Sequence, residues 1–136
     1  MGNRGAFSPL FGKTGGIPIE NRFYSTIGIL ENIKIIQCDK FKNNPTTTYS
    51  NTMNTTYFSY SKENGRIEHI YYFRNHKLKK SIDITHGKPH AHYWNISVIG
   101  RKRHDKRNIF ELSDKDKRLV ELALKYNKDK NGTKDN

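Results

Sequence analysis

Two aromatic and β-branched runs, Thr56-Tyr57-Phe58-Ser59-Tyr60 and Ile67-Glu68-His69-Ile70-Tyr71-Tyr72-Phe73, stand on either side of Lys62-Glu63-Asn64-Gly65. Side chains of this kind fit a pleated, half-buried surface, and Asn-Gly supplies the positive φ angles of a tight hairpin turn. The middle of the chain is thereby predicted to be a β-hairpin. A second reversal at Arg74-Asn75-His76-Lys77 leads into Leu78-Lys79-Lys80-Ser81-Ile82-Asp83-Ile84, where Leu78, Ile82 and Ile84 are expected on one face. After a turn at His86-Gly87-Lys88, Pro89 to Trp94 supplies a further strand. Connections this short cannot cross over, so the meander has to be antiparallel.

Flanking segments complete the expected fold. Phe23 to Gln37 holds Ile27, Ile29, Leu30, Ile33, Ile35 and Ile36 around Gly28 and Asn32, which favours one strand or two short ones over a helix. Asn43 to Thr56, rich in Asn and Thr around Pro45, reads as a loop, and Asn108 to Glu111 as a short extended piece. Ser113 is a good N-cap with Asp116 three residues on, and Leu119, Leu122, Ala123 and Tyr126 share a face, so a helix is predicted over Asp114 to Tyr126. Hydrophobic residues make up only 33%, but eight Tyr, seven Phe and one Trp bury large areas each and supply much of a core. The expectation is one α+β domain over residues 17–127, a twisted antiparallel sheet of four or five strands with a C-terminal helix packed on it. A flexible glycine-rich leader is expected over 1–16 and a disordered tail over 128–136.

With 25 Lys and Arg against 13 Asp and Glu, the net charge is +12. Such a field favours polyanions, nucleic acid first and anionic membrane second. Cys38 is the one cysteine, so no intrachain disulfide forms; it reads as a small apolar core residue. No apolar run reaches the length of a membrane span or of a signal-peptide core, and Ala6 stands where a myristoylation signal wants Ser or Thr. A cytoplasmic site of action, without membrane attachment, is the expectation.

Chemistry concentrates in Ser81-Ile82-Asp83-Ile84-Thr85-His86-Gly87-Lys88-Pro89-His90-Ala91-His92-Tyr93-Trp94. In an extended strand, His90 and His92 point to one side and Ala91 and Tyr93 to the other. His86 at the preceding turn can swing toward them, and Asp83 is out of phase with Ile82 and Ile84, hence on the open face. Two imidazoles can act as general base and general acid on RNA. The competing readings are a zinc site from His86, His90, His92 and Asp83, or polar residues that merely cover an exposed sheet. His69 and His76 read as structural. The acid–base reading is adopted, with His86, His90, His92 and Asp83 as the catalytic candidates and with no metal and no cofactor. Lys79, Lys80, Lys88 and the basic run Arg101-Lys102-Arg103-His104-Asp105-Lys106-Arg107, with Arg101, Lys102, Arg103 and Arg107, are the candidates for gripping nucleic acid, and Lys80 or Arg103 is expected near the phosphate. Tyr93 and Trp94 are among the rings that could stack on bases, though most of the aromatics are expected in the core.

Known motifs narrow the choice. Gly87 and Pro89 break any helical zinc motif, Trp94 stands where a third alternating histidine of a histidine-triad hydrolase would fall, and Gly12-Lys13-Thr14 has no strand or upstream glycine for a phosphate loop. Asp83, His86 and Pro89-His90-Ala91-His92-Tyr93-Trp94, placed after a hairpin and before a C-terminal helix, resemble the C-terminal modules of phage head-morphogenesis-like and polymorphic-toxin proteins, some of which belong to the barnase–EndoU–colicin–RelE ribonucleases. The resemblance spans about Tyr57 to Tyr126. It implies a small metal-independent endoribonuclease of toxin type, whose sheet face binds RNA and whose partner is an acidic immunity or host protein, in the cytoplasm of the producing or target bacterial cell. The rival is a non-catalytic phage accessory or host-inhibitory protein that grips nucleic acid or an acidic host protein.

Overall fold

A computed structural model describes residues 24–39, 49–85, 87–94 and 110–135. They form an α+β fold, one six-stranded sheet and a C-terminal helix. The strands are β1 (Tyr24–Leu30), β2 (Ile33–Cys38), β3 (Thr55–Ser61), β4 (Arg66–Arg74), β5 (Lys77–Asp83) and β6 (His90–Tyr93), and they lie side by side in chain order. The helix α1 is Asp114–Asp135. Four or five strands were expected; there are six because Tyr24 to Cys38 folds back on itself at Glu31-Asn32, whose φ angles of 48° and 70° make a two-residue hairpin turn. Every pairing is antiparallel except β2 with β3, which is parallel. That junction needs a crossover, and the long segment between Cys38 and Thr55 provides it. Tyr49 from this segment is buried and bridges to Lys77 at the start of β5.

Both faces of the sheet carry buried side chains. Toward α1 lie Ile35, Phe58, Tyr60, Ile67, Ile70, Ile82, Ile84 and Ala91, packed on Leu119, Val120 and Ala123. The other face carries Tyr24, Ile36, Cys38, Tyr49, Tyr57, Tyr71, Phe73 and Leu78, with Trp94 against them. Cys38 is buried, as a small apolar residue would be. Leu78 thus faces away from Ile82 and Ile84, contrary to expectation. Phe73 pairs with Leu78 while Tyr72 pairs with Lys80, so Lys79 is the extra residue of a β-bulge and inverts the phase.

The helix start carries the expected reciprocal cap: Asp116 N–H donates to Ser113 Oγ (3.2 Å) and Ser113 N–H to Asp116 Oδ2 (3.3 Å). Asp116 also accepts from Lys80 Nζ (2.9 Å) and the Tyr72 hydroxyl (2.7 Å), which pins the first turn to β4 and β5. Burial alone would raise its carboxyl, but the Lys80 and Tyr72 hydrogen bonds and the Lys80 charge outweigh it and hold it below the usual range. Beyond Tyr126, where the apolar spacing stops, the helix runs on to Asp135, through residues that the sequence assigns to a tail. The Asn127 side chain docks this part, accepting from Ile67 N–H (2.7 Å) and donating to Ile67 C=O (3.0 Å). No helix among the described residues is long and apolar enough to cross a membrane.

Candidate functional site

Three hydrogen-bonded strands bring the candidate residues together on the face opposite α1. The β4–β5 turn at Asn75-His76, with φ angles of 53° and 69°, starts the ladder, and the bulge at Lys79 shifts it so that His69 lies opposite Asp83. On the other side of β5, Asp83 pairs with His90 and Ser81 with His92. Period-two alternation then aims Asp83, His69, His90 and His92 at one another.

Asp83 is the hub. Its Oδ2 is 3.0 Å from His92 Nε2 and 3.4 Å from His90 Nε2, and its Oδ1 is 3.2 Å from His69 Nε2. Burial by itself would raise the Asp83 carboxyl, but the His69 hydrogen bond and charge, followed by those of His92, overcome this and hold it down at about 2. The carboxylate is therefore anionic at neutral pH. His92 is the most enclosed imidazole, its side chain 9% exposed against 21% for His90 and 29% for His69. The His90 and His92 rings meet edge to face, 4.7 Å between centroids. His69 stacks on Tyr71, and its Nδ1 is buried without a hydrogen-bond partner, so a proton on Nε2 serves the Asp83 bond and leaves a lone pair inside. His90 Nδ1 lies 2.7 Å from the Lys88 carbonyl oxygen, which can only accept, so this nitrogen donates. Both nitrogens of His90 thus face oxygen acceptors.

The structure brings Asp83, His90 and His92 together as expected and adds His69, which sequence reasoning had assigned a structural role. Without the bulge His69 would face Ile82; the one-residue slip hides the pairing. His76 sits in the β4–β5 turn with its Nδ1 3.0 Å from the Ser50 carbonyl oxygen, away from the cluster. Lys88 is exposed in the turn before His90, and Lys79 is exposed at the bulge. Lys80 was expected near the phosphate, but it lies on the opposite face from Asp83, paired with Asp116 and 4.5 Å from the Tyr72 ring centre. Its position follows from its phase: it is two residues from Ile82, which faces the helix. His86, Arg101, Lys102, Arg103 and Arg107 lie outside the described residues. Beside β6, an open cleft of about 680 Å³ is lined by Lys88, Pro89, His90, Phe110, Leu112 and Lys117, so His90 borders both the cleft and the cluster.

Chemically, the arrangement is one fixed anion with three imidazoles around it, on a positively charged protein. It can exchange protons near neutral pH, and it can offer nitrogen and oxygen ligands to a cation. Asp83, His90 and His92 each present a ligand atom within 4.8 Å of the others. Searches of protein-family models, curated proteins and solved structures find no match to this chain.

Proposed function

We propose that the protein is a metal-independent endoribonuclease of toxin type, in which His90 and His92 act as an acid–base pair on a phosphodiester. The observation that carries this reading is the convergence of both imidazoles on the single carboxylate of Asp83, whose side chain stays 24% exposed. An imidazole can serve as either the base or the acid that such a reaction requires. The neutral ring takes the proton of a ribose 2′-hydroxyl, whose oxygen attacks phosphorus. The charged ring protonates the departing 5′-oxygen, leaving a 2′,3′-cyclic phosphate and a 5′-hydroxyl. His90, the more open ring, suits the acid, and His92 the base. Asp83 stabilises the imidazolium that forms, as a buried carboxylate does for a catalytic histidine, and His69 holds its other oxygen. Lys79 and Lys88 are exposed cations on β5 and on the turn before β6. The resemblance of the Asp83 and Pro89-His90-Ala91-His92 segments to toxin modules supports the same reading, with action in the bacterial cytoplasm and an acidic immunity or host protein as partner.

The test is to incubate end-labelled RNA and the matching DNA with the protein in chelator. RNA fragments ending in cyclic phosphate, with DNA intact, are expected, and a folded His90→Ala/His92→Ala variant should leave RNA whole. Unchanged degradation by that variant removes the catalytic assignment. RNA that is retained but intact, with affinity falling steeply as salt rises, would instead establish the non-catalytic binder.

A further inference from the structure

The geometry points to a second use of the same residues: we propose that Asp83, His90 and His92 bind a divalent transition metal of the zinc type, and that its occupancy silences RNA cleavage. The silencing half rests on the ribonuclease reading; the binding half does not. Zinc held tetrahedrally at about 2.0–2.2 Å sets its ligand atoms about 3.3–3.6 Å apart. Asp83 Oδ2 already stands 3.4 Å from His90 Nε2 and 3.0 Å from His92 Nε2, and all three donor atoms lie within 4.8 Å of one another. Only small side-chain rotations separate this cluster from a coordination shell. Two imidazoles with one carboxylate form a borderline donor set, which favours zinc and its neighbours over magnesium or calcium.

The outer shell is also built. Ligating histidines characteristically donate their second ring N–H to a carbonyl or carboxylate, and ligating carboxylates accept a further hydrogen bond. His90 Nδ1 is 2.7 Å from the Lys88 carbonyl oxygen, and the non-ligating oxygen of Asp83 is 3.2 Å from His69 Nε2. Three protein ligands leave a fourth position for water or a phosphate oxygen. A metal on the two Nε2 atoms displaces the protons those nitrogens hold toward Asp83, so the bound rings have no imidazolium proton to give to a leaving oxygen. The prediction is therefore an enzyme active in chelator and inhibited by stoichiometric metal.

The experiment uses the full chain, stripped with chelator and desalted. Zn²⁺ affinity is read by competition with a chromophoric chelator, and coordination by the visible absorption of Co²⁺. Expected are one equivalent bound, a tetrahedral cobalt spectrum, loss of RNA cleavage at one equivalent of Zn²⁺, and recovery with excess chelator. His69→Gln should weaken binding about ten- to a hundredfold, and His90→Gln or Asp83→Asn about a hundredfold or more. Circular dichroism checks each fold, and if Asp83→Asn does not fold, the more open His90→Gln decides. No Zn²⁺ binding alongside chelator-resistant cleavage overturns the metal site and leaves the ribonuclease standing. Binding that depends on Asp83 and His90, with RNA intact in chelator and in metal, sustains the site and overturns the ribonuclease. Cleavage that requires the metal overturns both the acid–base mechanism and the silencing.

Discussion

Replacing Asp83 by Asn should change how stability depends on pH by an amount the site itself sets. The carboxyl lies at about 2 in the folded chain against 3.8 ordinarily: burial pushes it up, and the contacts with His69 and His92 more than compensate. Because the folded value is the lower one, the stabilisation is fully present above about pH 4 and disappears as pH falls through about 2. At about 1.4 kcal/mol per pH unit, the gap corresponds to about 2.5 kcal/mol before screening. The side chain is 24% exposed, so most of this survives solvent screening. Urea unfolding followed by Trp94 fluorescence in chelator, at steps from about pH 7 down to about pH 2, gives the stability of each protein. Other carboxylates titrate over the same range, but they are common to both chains and cancel in the difference. The wild-type advantage over Asp83→Asn should therefore shrink by about 2 kcal/mol as pH falls from about 4 to about 2. A difference that stays constant across the acid range would refute the idea that the imidazoles stabilise the charged carboxylate.

Two further substitutions test how the sheet is held. Asp116→Ala removes a buried acceptor shared by Lys80, Tyr72 and Ser113, so stability should fall by about 3 kcal/mol in urea titrations; RNA cleavage per folded molecule should persist, because this contact lies on the opposite face from Asp83. Deleting Lys79 makes Phe73–Leu78 and Tyr72–Lys80 consecutive pairs without turning any residue to the other face. That deletion should cost about 1 kcal/mol, for the lost Trp94 N–H to Lys79 carbonyl bond, and should keep activity. Deleting Ser81 instead should abolish activity by moving Asp83 out of phase; equal loss in both deletions would contradict the assigned register.

What the sequence disclosed is what local physics determines. The Asn64-Gly65 hairpin, the Ser113–Asp116 cap and the convergence of His90 with His92 follow from turn preference, capping and strand period, and none needs knowledge of distant residues. Lys80 was legible too: the phase that places Asp83 opposite to Ile82 places Lys80 with Ile82, so its distance from the site could have been read. The orientation of Leu78 and the membership of His69 were not legible, because both turn on a bulge at Lys79 that no glycine or proline marks. The parallel pairing of β2 with β3 was hidden for another reason. It depends on where the long connection after Cys38 returns, a non-local matter on which an Asn- and Thr-rich loop composition is silent.

A second bulge makes the same point from the other direction. Ser59 pairs with His69 and Tyr60 with Ile67, so Glu68 is the extra residue, and Ile67 and Ile70 both reach the helix side although three positions separate them. In a regular strand that spacing puts one of them on the wrong face; two fully buried isoleucines at an odd interval imply a bulge between. Glu68 is fastened there by Arg66 and Asn64 through its carboxylate, while its backbone carbonyl accepts from Ile84 N–H. The consequence is that His69 alone turns outward between those isoleucines, toward Asp83. The four side chains of the cluster are therefore spaced by ladder hydrogen bonds on β4, β5 and β6 and not by loop conformation. Rigid spacing explains how three imidazoles stand 3.0–3.4 Å from one carboxylate.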